Sequence, residues 1–583
     1  MMRSRRVIPI FFAAALTFAM TCIAAAEVPS MGGAFPDAGK VSPWVLSKMA
    51  EEGQSELIIF LGEQADVSGA AQLGTKAERG RYVYKALTET ASRTQGPIIK
   101  ALRALGVEFR PLWAANMIWA RGDSNVLSIM AQRPEVARIH ANPSVRLSLP
   151  AREQARQAPL TPTAIEWNIS MVNAPAVWAA GFTGQGVVVG GQDTGYQWDH
   201  PALKSKYRGW NGTSADHDYN WHDAIHSGTT SCGVDSPVPC DDDEHGTHTM
   251  GTMVGDDGGI NQIGMAPGAR WIGCRNMAEG NGTPVTYSEC YQWFIAPTRV
   301  DGSDPDPSKA PDVINNSWSC PPSEGCTDPD VMLTVVRNVR AAGIVTVHAA
   351  GNEGPACGTV SDPAAIYNAS FAVGATGPND TIASFSSRGP VTADGSGRRK
   401  PDISAPGVNI RSCVPQNGYV GGWDGTSMAA PHVVGLCALV LSANPALAGQ
   451  PSAVESILAR TALALATSNG CGGDGATDVP NNTYGWGRID ALAAYEEAVT
   501  ASLKVRIGPA GANGAGAMWR ISDGAWRRSG STISGLAPGR YTVLFKAIDG
   551  WSKPVARRVT LKAGIAKVIK GEYAPLTASR PRN

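Results

Sequence analysis

The sequence predicts an α/β fold, a parallel sheet flanked by helices, preceded by a small α+β unit and followed by a small β-sandwich. Between residues 161 and 500, apolar runs typical of buried strands alternate with helical periodicity, as a parallel sheet requires. The patterns before and after this segment differ from it. The 583 residues, 43% hydrophobic and 17% charged, fit several globular domains and exclude a disordered or fibrous protein.

Residues 1–26 have the pattern of a secretory signal peptide. Three arginines precede an apolar run from residue 7 to about 23, and three alanines follow it. An uncleaved anchor is the alternative, although a bilayer span takes about 20 apolar residues. Cys22 lacks a convincing lipidation motif. We therefore expect a secreted, extracellular product with no membrane segment in its mature form; the periplasm and the cell surface are the alternatives.

Residues 27–160 are predicted to contain a small α+β unit, with its core at 55–150, and a linker. The predicted strands lie at 57–60, 107–110, 117–121 and 136–139, and the predicted helices at 82–105 and 124–132. Residues 151–163 are rich in Pro, Gln and Ala and show no periodicity, which indicates a linker.

The segment 161–500 carries the predicted parallel sheet. Its strands are predicted at 187–191, 313–317, 344–349 and 371–373. An amphipathic helix at 331–342 precedes Gly343, which suits a left-handed cap. An apolar helix at 427–442 is predicted to cross the core. We place Pro431 in its first turn, where a missing N–H costs nothing.

The C-terminal segment, 501–583, has the alternation of a small β-sandwich. Residues 503–507 and 541–545 alternate apolar and polar side chains, and Ala-Pro-Gly at 537–539 marks a turn. A binding module and an inert stabilising appendage are both consistent with this pattern.

Charge and cysteine content narrow the class further. Fifty basic and fifty acidic residues give zero formal net charge, so nothing favours nucleic-acid binding. We also expect the protein to be a monomer. Ten of the 11 cysteines lie between Cys232 and Cys471, which favours disulfides in an exported chain. Cys232 with Cys240, and Cys320 with Cys326, would close short loops. Cys437 is predicted to be a buried free thiol, and no spacing indicates a zinc site.

Three glycine-bearing stretches place an aspartate, a histidine and a serine in that chain order. They are Gln-Asp-Thr-Gly at 192–195, His-Gly-Thr-His at 245–248 and Gly-Thr-Ser-Met-Ala-Ala-Pro at 425–431. A serine hydroxyl becomes a nucleophile when a histidine takes its proton and a carboxylate orients that histidine. The order Asp193, His245, Ser427 differs from that of chymotrypsin and of the α/β-hydrolases.

Further stretches make the pattern specific. Gly-Thr follows at 251–252, Gly-Met-Ala-Pro-Gly-Ala at 264–269, Ala-Ala-Gly-Asn-Glu-Gly at 349–354 and Lys-Pro-Asp-Ile-Ser-Ala-Pro-Gly at 400–407. In this order and spacing, residues 167–495 resemble the subtilisin-like serine proteases, or subtilases. Three segments resemble one member most: 199–203, 206–209 and 314–318. The resemblance implies a subtilisin-like sheet and a serine endopeptidase that acts on proteins or peptides, with no cofactor for its chemistry.

The resemblance also implies roles for single residues. Asp193 would orient His245, which would act as the general base for the nucleophile Ser427. Asn352, in the stretch at 349–354, would donate its side-chain amide to the oxyanion.

The substrate-binding residues are implied in the same way. Ser317, Trp318 and Ser319 would pair with the substrate backbone and wall the pocket for the residue before the cut bond, called P1. Family members usually have a glycine where Ser319 stands, so this pocket is expected to be narrower. Glu353 would sit at its rim and favour a basic P1 side chain.

The α+β unit at 55–150 resembles the inhibitory propeptide of subtilases. Such a propeptide would assist folding, block the cleft as an intramolecular inhibitor and be removed by self-cleavage in or near 151–163. An ordinary α+β domain is the alternative.

Metal sites are disfavoured. His-x-x-His beside the acidic run at 241–244 could be half a metal site, but no glutamate follows the first histidine as a metalloprotease requires. We interpret the acidic run as a solvated loop, His248 as a packed structural residue and His432 as a first-turn residue without a catalytic role.

Calcium is the one metal that the resemblance raises. Ala202 and Gly258 stand where ligands of the family's tight calcium site are expected, so that site is predicted to be lost. Asp256 and Asp257 leave a different structural calcium site open.

Two alternatives to an endopeptidase with broad substrates remain. A non-catalytic binding protein could keep this scaffold while the sandwich carries the function, although the complete triad argues against it. A dedicated processing protease with few targets is the other.

Overall fold

The structure is a computed structural model that describes residues 38–150, 164–522 and 524–576. The predicted signal peptide at 1–26 and the predicted linker at 151–163 lie outside the described residues.

The N-terminal unit is a four-stranded antiparallel sheet with helices packed on it. The sheet order is β2-β3-β1-β4, and Ile58 on β1 lies opposite Trp119 on β3. All four predicted strands are present. The elements are α1 (Pro43–Glu52), β1 (Gln54–Leu61), α2 (Lys76–Thr94), α3 (Gly96–Ala104), β2 (Phe109–Leu112), β3 (Met117–Asp123), α4 (Ser124–Ala131) and β4 (Val136–Ala141).

The predicted helix at 82–105 is two helices. Helix α2 ends at Thr94, and α3 begins at Gly96 with Pro97 in its first positions. A proline inside one continuous helix would lose a hydrogen bond and clash with the carbonyl four residues earlier. The prediction of a single helix is therefore wrong at this point, although both parts are helical.

The central element is a seven-stranded sheet in which every neighbouring pair is parallel. Its order is β14-β13-β12-β11-β6-β8-β7. The strands are β6 (Val188–Asp193), β7 (Trp221–Asp223), β8 (Arg270–Arg275), β11 (Val313–Asn316), β12 (Val345–Ala349), β13 (Phe371–Thr376) and β14 (Ile403–Pro406). The predicted α/β class and its four strands are confirmed.

The two faces of this sheet bury two apolar cores. Val313 faces the core that contains the helices after His245 and Ser427, and Ile314 faces the core that extends into the N-terminal unit. Successive residues of a strand point to opposite faces, which explains this division. The surrounding helices are α5 (Trp167–Met171), α6 (Ala174–Ala179), α7 (His245–Val254), α8 (Pro284–Ile295), α9 (Leu333–Ala341), α10 (Thr426–Ala443), α11 (Pro451–Thr461) and α12 (Ala491–Val499).

The helix α9 ends as predicted. Gly343 has φ 91°, and a Cβ there would lie 2.9 Å from the Cα of Gly449. Both the left-handed backbone and the close packing therefore favour glycine.

The helix α10 is long and apolar enough to span a bilayer, but 89% of it is buried inside the protein. It is a core helix here, as predicted. Pro431 is not in its first turn, because the helix begins at Thr426 and places Pro431 in the second turn. His432 lies in the second turn too, so both first-turn placements are wrong.

Short strands line the edges of the large domain. A three-stranded antiparallel sheet joins β5 (Val145–Arg146), β10 (Asn281–Gly282) and β9 (Met277–Ala278), and β15 (Ile410–Val414) pairs with β16 (Gly418–Trp423).

The C-terminal segment forms two three-stranded sheets that share one apolar core, as the predicted sandwich requires. Leu503 on β17 and Val543 on β20 both belong to that core. The elements are β17 (Ala501–Gly508), α13 (Ala510–Gly514), β18 (Trp519–Ile521), β19 (Thr532–Leu536), β20 (Gly539–Phe545), β21 (Trp551–Ser552), β22 (Arg557–Leu561), β23 (Ala566–Glu572) and β24 (Ala574–Pro575).

Among the residues that the structure describes, eight cysteines form four disulfides. The predicted bridges Cys232–Cys240 and Cys320–Cys326 are present, and the other two are Cys274–Cys290 and Cys357–Cys471. Cys437 is a buried free thiol as predicted, and Cys413 is another.

Candidate active site

The sheet brings the predicted aspartate to its carboxyl edge. Asp193 is the last residue of β6, near the middle of the sheet, and its side chain is fully buried. Ligand sites of open parallel sheets lie at this edge. The backbone N–H of Thr194 donates to Asp193 Oδ1 at 2.8 Å, and the hydroxyl of Thr249 donates to Oδ2 at 3.1 Å.

His245 opens helix α7 directly above this carboxylate. Its Nδ1 lies 2.7 Å from Asp193 Oδ1, and both side chains are fully buried. A Cβ on the next residue, Gly246, would collide with the carbonyl oxygen of Gly195. The glycine therefore allows the helix to start against the strand end, which sets the contact between His245 and Asp193.

The free nitrogen of His245 points to its expected role. None of the described residues forms a hydrogen bond with His245 Nε2. Because Nδ1 donates to a carboxylate, the neutral ring carries its lone pair on Nε2. Burial lowers the pKa of His245, but the charge and hydrogen bond of Asp193, together with the charges of Asp243 and Asp241, raise it, and the net shift is upward from 6.5.

Ser427 lies in the first turn of α10, which packs against α7. Its hydroxyl donates to the carbonyl oxygen of Ser317 at 3.2 Å instead of to His245. The structure thus joins the aspartate and the histidine by a hydrogen bond, and holds the serine in the adjoining helix with its hydroxyl on another acceptor.

Asn352 is fixed by its neighbour in α10. Its Oδ1 accepts from the backbone N–H and the hydroxyl of Thr426, both at 2.9 Å. With Oδ1 so engaged, the Nδ2 amide is the group left to bind a ligand. Asn352 is half-buried, and these contacts hold it against Thr426, the residue before Ser427.

Of the predicted substrate residues, three follow strand β11. Ser317 is buried and bonded to Ser427, Trp318 stacks on Tyr287 with ring centroids 3.9 Å apart, and Ser319 is half-buried. The fourth, Glu353, accepts from the hydroxyl of Ser387 at 2.7 Å. Ser317 therefore contacts Ser427 directly, and Glu353 follows Asn352 in the chain.

No sequence pattern predicts the short strand β5 near this region. Residues 145–146 pair antiparallel with β10, and the N–H of Leu147 donates to the carbonyl of Gly280 at 2.7 Å. Leu149 then lies 3.6 Å from where a Cβ on Gly425 would be. The end of the N-terminal unit thus runs from its pairing with β10 toward the start of α10. Two-residue strands are too short for a periodic signal.

The interpretation of residues 241–244 as a solvated loop is wrong for its first half. Asp241 accepts from the hydroxyls of Thr194 and Thr247 at 2.8 and 2.6 Å, which joins the strand end to helix α7. Asp242 forms a buried ion pair with Arg275. Asp243 is exposed, as predicted.

Two other histidines near the site, His248 and His432, are fully buried. His248 stacks on Trp423 with centroids 4.3 Å apart, and burial lowers its pKa to about 3. His432 bonds the carbonyl of Met428 at 2.8 Å and the amide of Asn168 at 2.7 Å.

The loop associated with calcium is held by other contacts. Asp256 donates its N–H to the carbonyl of Ala202 at 3.1 Å, and the ammonium of Lys206 donates to the carbonyl of Asp256 at 2.6 Å. Asp257 accepts from the amide of Asn261 at 2.6 Å. Within the described ranges, no group of three or more His, Cys, Asp or Glu residues is arranged to hold a metal ion. Loss of the family's calcium site stays a prediction.

The model of the subtilase family matches residues 184–487. Bacillopeptidase F of Bacillus subtilis (strain 168), the member that the segments 199–203, 206–209 and 314–318 resemble, is 36% identical over 496 residues, or 80% of this chain and 33% of that protein.

Two other relatives match a smaller share of the chain. Subtilisin E of Bacillus subtilis (strain 168) is 33% identical over 283 residues, which cover 48% of this chain and 62% of that protein. An alkaline protease of Alkalihalobacillus alcalophilus is 29% identical over 370 residues, which cover 63% of this chain and 79% of that protein. The chain thus spans one third of the length of the first relative and less than two thirds of the second.

Proposed function

Because the chain belongs to the subtilase family, we propose that it is a secreted serine endopeptidase that hydrolyses peptide bonds of proteins through an acyl-enzyme. The observation that carries the proposal is the buried 2.7 Å contact between His245 Nδ1 and Asp193, which leaves Nε2 as a base beside the helix of Ser427. The chemistry needs no cofactor.

The first step is proton transfer from the serine. The Ser427 hydroxyl turns from the carbonyl of Ser317 to His245 Nε2, which takes its proton as the oxygen attacks the substrate carbonyl. Asp193 stabilises the resulting imidazolium, and the bonds that Thr194 and Thr249 donate to it keep the carboxylate in place. The N-terminus of α10 adds a favourable dipole near Ser427.

The second requirement is stabilisation of the oxyanion. Asn352 donates through Nδ2, and its Oδ1 contacts with Thr426 hold the amide in one orientation before the substrate arrives. His245 then gives its proton to the leaving amine, and water enters by the same steps in reverse to release the acid.

We also propose that the N-terminal unit is the enzyme's propeptide. Its last strand, β5, pairs with β10 of the large domain. Trp113 and Ala114 donate their N–H groups to Gln292 at 2.6 and 3.1 Å. Ion pairs of Lys76 with Asp312, Arg110 with Glu289 and Arg138 with Asp330 also link the two units. A unit held in this way would block the cleft until self-cleavage in or near 151–163 released it.

Export is supported by the pattern of residues 1–26 and by the four disulfides, which suit an oxidising compartment. We propose that the mature enzyme acts as a monomer on protein or peptide substrates, with no nucleic acid or membrane partner.

Substitution of the nucleophile tests the activity. The mature enzyme should hydrolyse casein and be labelled by a fluorophosphonate, and Ser427→Ala should lose both. Undiminished hydrolysis by purified Ser427→Ala would refute the assignment. Wild-type protein that neither hydrolyses casein nor reacts with the label would be a non-catalytic member of the family.

Self-processing needs a separate experiment. The Ser427→Ala precursor, expressed alone, should keep its N-terminal unit attached. Mass spectrometry that finds this precursor trimmed in or near 151–163 would assign the cleavage to another protease.

A further inference from the structure

The C-terminal sandwich carries a large excess of positive charge. Residues 501–583 contain fifteen arginine and lysine residues but only three acidic residues, in a chain whose formal net charge is zero. The positive charge is therefore concentrated in one small domain, and residues 1–500 carry the balancing negative charge. Such an asymmetry within one chain is typical of proteins whose basic part binds an anionic partner.

The register of strands β18, β20 and β22 brings part of this charge to one face of a sheet. Val543 and Val559 belong to the core of the sandwich, and their neighbours along each strand point outward because side chains alternate. Arg520 on β18, Arg540 on β20 and Arg558 on β22 therefore lie on the outer face.

Two further side chains extend this face. The N–H of Lys546, just after β20, donates to the carbonyl of Met518 at 2.9 Å, so the ladder continues and its side chain follows the same alternation. Trp526 lies beside Arg520, whose guanidinium carbon is 4.7 Å from the centre of the indole ring. We call the following residues the basic face: Arg520, Trp526, Arg540, Lys546 and Arg558.

Among the described residues, no acidic side chain forms an ion pair with the basic face. The ion pair farthest along the described chain joins Arg460 to Glu497, before the sandwich begins. Arg540 and Arg558 are diagonal neighbours, because Thr542 lies opposite Arg558, and such residues are roughly 7–8 Å apart. Like charges this close repel each other, and a bound anion removes that cost.

The basic face is open to solvent. Arg540, Lys546 and Arg558 are exposed, and 38% of the surface of Trp526 is exposed as well. The Nε of Arg520 has no hydrogen-bond partner among the described residues. The face thus offers four cationic groups and an aromatic ring to a ligand.

The side chains of the basic face suit an acidic sugar polymer. Guanidinium groups bind carboxylates, phosphates and similar oxyanions through paired hydrogen bonds. Thr560 and Thr542, which lie opposite Arg540 and Arg558, offer hydroxyls to those of a sugar. A sugar ring can stack on the indole of Trp526.

A nucleic acid matches the basic face less well. Proteins that bind single strands stack successive bases on several aromatic side chains along a basic groove. Within the part of the chain that the structure describes, Trp526 is the one aromatic ring assigned to this face. An acidic polysaccharide needs the cationic groups but not a series of rings.

We propose that the C-terminal sandwich binds an acidic polysaccharide on the basic face, and thereby holds the enzyme on an anionic extracellular polymer. This inference goes beyond the proposed endopeptidase activity and does not depend on it, because no residue of the basic face belongs to the candidate active site.

Binding of two polymers by the full chain with Ser427→Ala, which prevents autolysis, tests the proposal. The probes are heparin, which is sulfated, and polygalacturonate, which is carboxylated, and calorimetry gives Kd. We expect binding that weakens steeply between about 50 and 200 mM salt, since salt screens exposed charges. Failure to bind either polymer at the lower salt, or binding that salt does not weaken, would overturn the inference.

A triple variant removes the charge of the basic face. Arg540→Gln/Lys546→Gln/Arg558→Gln, made in the same Ser427→Ala chain, should weaken heparin binding about tenfold, as loss of three exposed ion contacts would. A thermal unfolding midpoint equal to that of the parent shows that the variant is folded. Unchanged affinity in this folded variant would contradict the proposal.

A second triple variant is the matched control. Lys504→Gln/Arg506→Gln/Lys570→Gln removes the same charge from the outer face of the other sheet, where these side chains alternate with the core residues of β17 and β23. It should change Kd by less than about twofold. Equal losses from the two variants would show an effect of net charge alone and overturn the assignment of the face.

Trp526→Ala distinguishes a sugar polymer from other polyanions. It should weaken heparin binding but leave binding of inorganic polyphosphate unchanged, because polyphosphate has no ring to stack on the indole. An equal effect on both polymers, or none on either, would overturn the assignment to a polysaccharide. Tighter binding of a single-stranded oligonucleotide of matched charge would overturn it too and assign the face to nucleic acid.

A second copy of the chain is the competing occupant, because residues 1–500 carry the opposite charge. Sedimentation velocity at about 50 mM salt, where exposed charges are least screened, should find monomers. Dimers that heparin does not dissociate and that the variant of the basic face abolishes would assign the face to self-association and overturn the inference.

Discussion

Ser317 and Ser427 exchange two hydrogen bonds across the cleft. The hydroxyl of Ser317 donates to the carbonyl of Ser427 at 2.9 Å, and the hydroxyl of Ser427 donates to the carbonyl of Ser317 at 3.2 Å. The first bond has a cause in the sequence. Pro431 has no N–H, so it cannot bond the carbonyl four residues earlier, which is that of Ser427. Ser317 supplies the missing donor and thereby ties the strand end to the nucleophile's helix.

We therefore expect Ser317→Ala to destabilise the protein by about 1–3 kcal/mol, the cost of a buried carbonyl left without its donor. The measurement is chemical denaturation in a Ser427→Ala background, which keeps the carbonyl and prevents autolysis. Ser319→Ala, in the same segment, is the control. Equal stabilities for the two variants would show that the bond to the Ser427 carbonyl contributes nothing.

Most of the fold, and the residues proposed to carry out the chemistry, could be predicted from the sequence. Asp193 and His245 were found because glycines frame them, and the packing of Gly246 against Gly195 explains why that frame is required. The predicted first-turn position of Pro431 is wrong because tertiary contacts, which a sequence pattern does not contain, set the start of α10. The prediction of a solvated loop is wrong for Asp241 and Asp242. Four adjacent acidic residues are usually solvated, whereas here Thr247 and Arg275 pair with these two.

The state of His245 predicts how activity depends on pH. The base must be neutral, and Asp193 raises the pKa of His245 above 6.5 despite burial. Activity should therefore be present above this raised pKa and be lost as the pH falls through it. We expect kcat/KM for a neutral ester substrate to show an acidic limb with an apparent pKa above 6.5. A limb clearly below 6.5 would contradict the net effect of Asp193.

The long-range disulfide should contribute strongly to stability. Cys357 and Cys471 are 114 residues apart and join the loop after Asn352 to a segment beyond α11. Loop-closure entropy for about 100 residues corresponds to about 4.7 kcal/mol at 25 °C. We expect the double variant Cys357→Ser/Cys471→Ser to lower the free energy of unfolding by about 2–5 kcal/mol.

Denaturation in the Ser427→Ala background measures this effect. The bridge Cys232–Cys240 closes a loop of only eight residues in sequence separation and provides the comparison. A larger loss from opening the short loop than from opening the long one would contradict the entropic explanation.

We expect Gln292 to hold the N-terminal unit on the large domain, so that loss of its contacts speeds release of the unit. Its Oε1 accepts the N–H groups of both Trp113 and Ala114 at 2.6 and 3.1 Å, and it lies on α8 of the large domain. Gln292→Ala would leave two donors of the other unit without their acceptor, at about 1–3 kcal/mol for each group that water cannot reach.

The full precursor of this variant should gain activity sooner after processing than the wild type. The readout is the interval between appearance of the cleaved N-terminal unit on a gel and full hydrolysis of a fluorogenic peptide. Gln185→Ala, whose amide bonds only within its own loop to Thr183 and Gly181, should keep the wild-type interval. If Gln292→Ala kept it too, with processing itself unchanged, these two bonds would have no part in holding the unit on the enzyme.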